Sequence, residues 1–151
     1  MVSAEGIGEA QFDPTGARLL VEKFGPYSSS RNFAWRGALG RDRATLIEYA
    51  VDGNNDVQEA TFGSAWIGSY SPNGSKVAFG WLDGETAKLG VYDFRTRLSQ
   101  RLDLLADFGV CNFDCPLWLS EQTFIAVIPT PKAQLNGLSP VIGRADQIRQ
   151  W

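Results

Sequence analysis

Residues 12–21 read FDPTGARLLV: an aromatic, a polar residue, Pro, a polar residue, Gly, two further residues and an apolar run. The same order returns at 70–79 as YSPNGSKVAF, an offset of 58 residues. A weaker copy, WLSEQTFIAV at 118–127, keeps the aromatic and the apolar run without a gap but has Ser120 and Gln122 where the others have Pro and Gly. Each copy predicts a strand that ends at the aromatic and a turn. Pro fixes φ in that turn and Gly supplies a positive one. An antiparallel return strand follows, rich in Val, Leu, Ala, Ile and Phe.

After each of the first two copies comes a polar loop and a second apolar run, ATLIEYAVDG at 44–53 and AKLGVYDFRT at 87–96, with Tyr49 and Tyr92 in corresponding places. A short polar strand closes each unit, VQEA at 57–60 and LSQRL at 98–102. Four antiparallel strands in roughly 45–60 residues is the period of a propeller blade. The expected fold is therefore all-β. It is a partial β-propeller of about two and a half four-stranded antiparallel blades in a single domain, 1–151. Blade one spans about 8–60, blade two about 64–102, and an incomplete blade three about 114–151. Blade three contributes two clear strands, ending around Ile128, and RADQIRQW at its end reads as one or two helical turns.

Composition narrows the function. With 151 residues, 44% hydrophobic and 12% aromatic, the chain has the material for one domain core. A net charge of −3 without a basic block gives no footprint for nucleic acid. The apolar runs are too short to span a membrane as helices. Residues 1–6, MVSAEG, have neither the basic nor the apolar region of a signal peptide. The chain contains no histidine. That removes the imidazole a Ser-His-Asp or Cys-His site needs, and histidine-ligated metal sites with it.

At this point the chain resembles a known family. The aromatic-x-Pro-x-Gly corner, followed by LGVYDF and a polar strand, is similar to the propeller repeat of TolB and of the prolyl-oligopeptidase-type serine peptidases. GEAQFDPTGARLLVEKFGPY (8–27) looks like the start of the N-terminal propeller in bacterial members, and PLWLSEQTFIAVIPTP (116–131) like one of their later blades. The resemblance implies a propeller that gates peptide access to a C-terminal α/β-hydrolase domain. In the family that domain carries the Gly-x-Ser-x-Gly elbow, the Asp and the His. None of these has a match here, since GLSPV (137–141) lacks the second Gly and GSYSPNG has the wrong spacing. The chain alone is thus expected to be non-catalytic and to need no cofactor. The partners so implied are the hydrolase domain or further propeller blades, and a peptide substrate; a periplasmic or secreted location would follow. The competing reading is a TolB-like interaction module that completes its propeller by self-association.

Some features stand outside the repeat. The insertion 23–42 holds Tyr27, Arg31, Trp35, Arg36 and Arg41. It is either a loop that contacts a peptide or a neighbouring domain, or a solvated loop pinned by its aromatics. Cys111 and Cys115 are two ligands short of a structural zinc site. They are either a small-loop disulfide or two thiols. Asp52, Asp56, Asp83, Glu85, Asp103, Asp107 and Asp114 fall mostly in predicted turns and read as turn formers and solubilising charges. Trp66, Trp81 and Trp118 lie in predicted strands, where packing between blades is the expected role.

Overall fold

The structure, a computed structural model, describes residues 5–29, 43–51, 56–61, 63–84, 86–105, 116–127 and 148–150. The first sheet holds β1 (Gly6–Phe12), β2 (Arg18–Phe24), β3 (Ala44–Ala50) and β4 (Val57–Glu59) in that spatial order. The second holds β5 (Ala65–Tyr70), β6 (Lys76–Asp83), β7 (Thr86–Asp93) and β8 (Leu98–Leu105), also in order. The third holds β9 (Leu117–Trp118), β10 (Phe124–Val127) and β11 (Ile148–Gln150). All pairings are antiparallel. The architecture is all-β: two complete four-stranded meanders and a shorter sheet, stacked face to face as propeller blades. Within the C-terminal stretch read as helical turns, Ile148–Gln150 form a strand instead: β11 pairs with β10 from Ile125 to Val127.

The repeated corner performs the same act in the first two sheets. Gly16 N–H donates to the Asp13 carbonyl and Gly74 N–H to that of Ser71, both at 2.9 Å, and both glycines have φ of 72°. Phe12 then faces Leu19, and Tyr70 faces Val77. In the third copy Gln122 replaces the glycine, and the turn closes one residue sooner. Leu119 N–H donates to the Thr123 carbonyl at 2.9 Å, and Trp118 faces Phe124. The gapless alignment puts Ile125 where Val77 and Leu19 stand. A one-residue change of register exchanges the two faces of a strand. Phe124 and Ala126, not Ile125, therefore meet the second sheet, against Trp66, Ala87 and Leu89.

The core lies between sheets. Leu20, Leu46 and Ala60 from the first unit pack on Ala65, Ile67, Val77, Phe79, Tyr92 and Phe94 from the second. The second sheet is covered on both sides, which is why β6 reads as a continuous buried run from Val77 to Gly80. Glycine is demanded where side chains cross the sheet surface. A Cβ on Gly80 would stand 2.0 Å from the Trp66 indole, and one on Gly90 would stand 2.3 Å from the Phe79 ring.

Candidate functional site

The seam between the first two sheets contains charges that the apolar pattern hides. Glu22 and Glu48 are buried, and both lie on the face that carries Leu20 and Leu46. A Glu22 oxygen accepts the Ile67 N–H at 2.8 Å, tying β2 to the neighbouring sheet. Glu48 accepts the Tyr92 hydroxyl at 2.7 Å and has the Arg18 guanidinium 3.5 Å away. Arg18 in turn lies 5.2 Å above the Phe94 ring, which stacks on Tyr70. The Tyr70 hydroxyl donates to the Gln11 carbonyl at 3.0 Å. Burial is the main cause that drives the Tyr92 phenol above its usual range, followed by its hydrogen bond to Glu48 and that residue's charge. Tyr70 is raised likewise, by burial first and by the charges of Asp13 and Glu48 after it.

This seam is chemistry of assembly. Each carboxylate is engaged by a group from the other sheet or by Arg18, so the seam fixes which faces meet and in what register. Among the described residues no group of three His, Cys, Asp or Glu side chains is placed to hold a metal ion.

The corner turns line up along one rim. Asp13, buried, caps its own turn by accepting the Ala17 and Arg18 N–H groups at 2.9 and 3.1 Å. Ser71 occupies the same place and accepts the Lys76 N–H at 3.0 Å. A Cβ on Gly74 would stand 2.9 Å from Pro14, so the first two turns touch. The third is stapled to the second through Glu121, which accepts the Asn73 N–H at 2.7 Å and the Ser75 hydroxyl at 2.6 Å. Burial works against the Glu121 charge, but the Ser75 hydroxyl, the Asn73 N–H, the Ser71 hydroxyl and Lys76 outweigh it and hold the carboxyl below its ordinary value. The staple's contribution is full above the ordinary glutamate pKa, about 4.3, and is lost as the pH falls through the lower folded-state value. Tryptophan fluorescence during urea unfolding is expected to show an acid-induced loss of stability in the wild type that is smaller in Glu121→Gln.

The described ends of the insertion, residues 23–29 and Arg43, lie at the opposite rim, at the far end of β2. Its neck is closed: Gly25 N–H donates to the Arg43 carbonyl at 3.0 Å, Arg43 donates back to the Gly25 carbonyl, and its guanidinium lies 5.6 Å above Phe24. The backbone of Tyr27 begins a 3-10 turn, Tyr27–Ser29. Arg31, Trp35, Arg36 and Arg41 lie outside the described residues, as do Cys111 and Cys115. Of the acids expected in turns, Asp56 pairs with Arg97 across the first two sheets, and Asp83 and Asp103, which stand within β6 and β8, both pair with Lys88; Asp52, Glu85, Asp107 and Asp114 lie outside the described residues. Trp66 packs between the second and third sheets, and Trp118 donates to the Ser69 carbonyl at 3.0 Å.

The remaining feature is the outer face of the first sheet. Phe12, Leu19, Tyr49 and Val57 form one cross-strand row on it. Phe12 is 58% exposed, Tyr49 38% and Val57 53%.

Stacked four-stranded meanders joined by conserved-geometry corners define a propeller-blade protein. No protein-family model and no curated protein matches the sequence. Among solved structures the chain is similar to the β-propeller domain of the trilobed protease from Pyrococcus furiosus, at 16% identity and a TM-score of 0.48. The match covers 86% of this chain and 41% of that one, so this chain spans about two fifths of that structure's length.

Proposed function

We propose that residues 1–151 form a single partial propeller domain, with blades at about 8–60, 64–102 and 114–151. On this reading the chain is the non-catalytic propeller portion of a prolyl-oligopeptidase-type serine peptidase. It gates peptide access and docks on a hydrolase domain that its own sequence does not encode. The carrying observation is the repeated blade unit with its inter-blade seam, in a chain without a histidine. The corner residues Phe12-Asp13-Pro14-Thr15-Gly16 and Tyr70-Ser71-Pro72-Asn73-Gly74, which carry the family resemblance, build the turns that order those blades.

Two measurements test this reading. The purified chain is expected to hydrolyse no proline-containing reporter peptide, and any hydrolysis that copurifies with it overturns the assignment. An antibody against the chain is expected to detect a native protein several times larger than 16.6 kDa in cell extract. A native band at 16.6 kDa that runs as one discrete oligomer favours the self-completing interaction module instead.

A further inference from the structure

The two complete sheets present corresponding residues on the same face, but that face is closed over in the second sheet and largely exposed along β1, β3 and β4 in the first. Ile7, Phe12, Leu19, Val21, Tyr49 and Val51 correspond through the repeat to Ala65, Tyr70, Val77, Phe79, Tyr92 and Phe94. The backbone agrees with the alignment: Val51 N–H donates to the Ala17 carbonyl, and Phe94 N–H to that of Ser75, each at 3.0 Å. In the second sheet Ala65 is 1% exposed, Tyr92 0% and Phe94 3%, because the first sheet lies on them. Their counterparts Ile7, Tyr49 and Val51 are 75%, 38% and 50% exposed, and only Val21, in the central strand β2, is buried among the six. Five of the eight exposed large apolar residues among those described lie on the first sheet's outer face. Clustered exposure of this kind marks an interaction surface, where scattered single residues do not.

The covered pair shows what the occupant must bring. On Tyr92 and its neighbours lie Leu20 and Leu46, and the Tyr92 hydroxyl is met by the Glu48 carboxylate. We propose that the outer face of the first sheet is the receiving half of a blade-to-blade interface. It takes a four-stranded antiparallel sheet with leucine-sized side chains and a carboxylate placed against the Tyr49 hydroxyl. The occupant is not the first or second sheet of another copy with its seam closed. Glu22 and Glu48 are consumed within that seam, and their counterparts in the second sheet are Gly80 and Val91. The inference rests on the propeller reading and names the partner surface that reading requires. It does not depend on the peptidase assignment.

The chain itself contains a sheet of the required kind, which makes a direct test possible. Residues 1–63 carrying Tyr49→Phe are fused directly ahead of Gly6 of the full chain. The junction then has the length of the native connection into β5, and a single Tyr49 remains. Tetranitromethane is the probe, and nitration of Tyr49 is read by mass spectrometry, with Tyr92 as the internal reference. In the single chain Tyr49 is expected to be nitrated and Tyr92 spared; in the tandem chain Tyr49 is expected to lose its reactivity and match Tyr92. A Glu48→Ala change in the leading copy is expected to restore nitration. Undiminished nitration of Tyr49 in the tandem chain overturns the inference. A leading copy that remains protease-sensitive overturns it as well, since the tandem offers that copy a face that corresponds through the repeat to the one on which the first sheet is already closed. Protection of Tyr49 that ignores the Glu48→Ala change overturns the carboxylate requirement. None of these outcomes bears on peptide hydrolysis or native size, so the peptidase reading is judged separately.

Discussion

Phe79→Ala is expected to lower the unfolding free energy by about 3–5 kcal/mol, the usual cost of emptying a buried aromatic site. A domain of this size has roughly 5–15 kcal/mol in total, so the variant is expected to be largely unfolded at elevated temperature. The ring is 1% exposed and fills the seam between the first two sheets. It also lies across Gly90 on the adjacent strand, where an added Cβ would come within 2.3 Å of it. Two further results follow from that geometry. Gly90→Ala alone is expected to cost about 1–3 kcal/mol through overpacking. In the Phe79→Ala background its cost is expected to vanish, because the methyl group enters space the ring has left. Urea midpoints for the four proteins, taken with their m values, complete the cycle. Additive costs would mean that the ring and the glycine do not share one space.

That pair also marks what the sequence reveals and what it hides. The blades are legible because the corner chemistry is local. Pro and Gly restrict the backbone wherever they stand, and an alternating strand declares its faces without knowing its partner. The third corner is misaligned for the same reason. Without Gly at the position of Gly16 and Gly74, nothing local specifies the turn's length, and the one-residue difference appears only when Trp118 is seen opposite Phe124. The seam is legible in part. Glu22 and Glu48 fall two residues from Leu20 and Leu46, on the face that the period of two assigns to the core. A carboxylate in such a place signals a partner across an interface. The identity of the partner, Ile67 N–H in one case and the Tyr92 hydroxyl in the other, is a long-range fact with no local trace. Composition supplies a different lesson. The lack of histidine excludes a triad within this chain however it folds, because no arrangement of its residues creates an imidazole.

The pair of Glu48 and Tyr92 yields the second large effect, and its size depends on pH. Tyr92→Phe removes a hydrogen bond to a charged acceptor in a buried seam, a loss of about 1.5–3 kcal/mol at neutral pH. Glu48→Ala is expected to cost at least as much, since it strands a phenol that is 0% exposed and removes a partner of Arg18. Above the ordinary tyrosine pKa of about 10 the balance changes. The folded state holds the Tyr92 proton to a higher pH than the unfolded chain does, so in that window the native state binds more protons. Stability must then fall as pH rises. The contribution of the raised pKa is therefore complete below about pH 10 and is lost progressively above it. Tyr70, raised for the same leading cause, adds to the slope in the same direction. Urea unfolding followed by circular dichroism is expected to give a steep alkaline decline in the wild type and a shallower one in Tyr92→Phe. The two proteins would then converge at high pH although they differ at neutrality. Parallel declines would show that the Tyr92 proton is not held by the seam. The Glu48 carboxylate would then position the blades without its charge being felt by the phenol it accepts from.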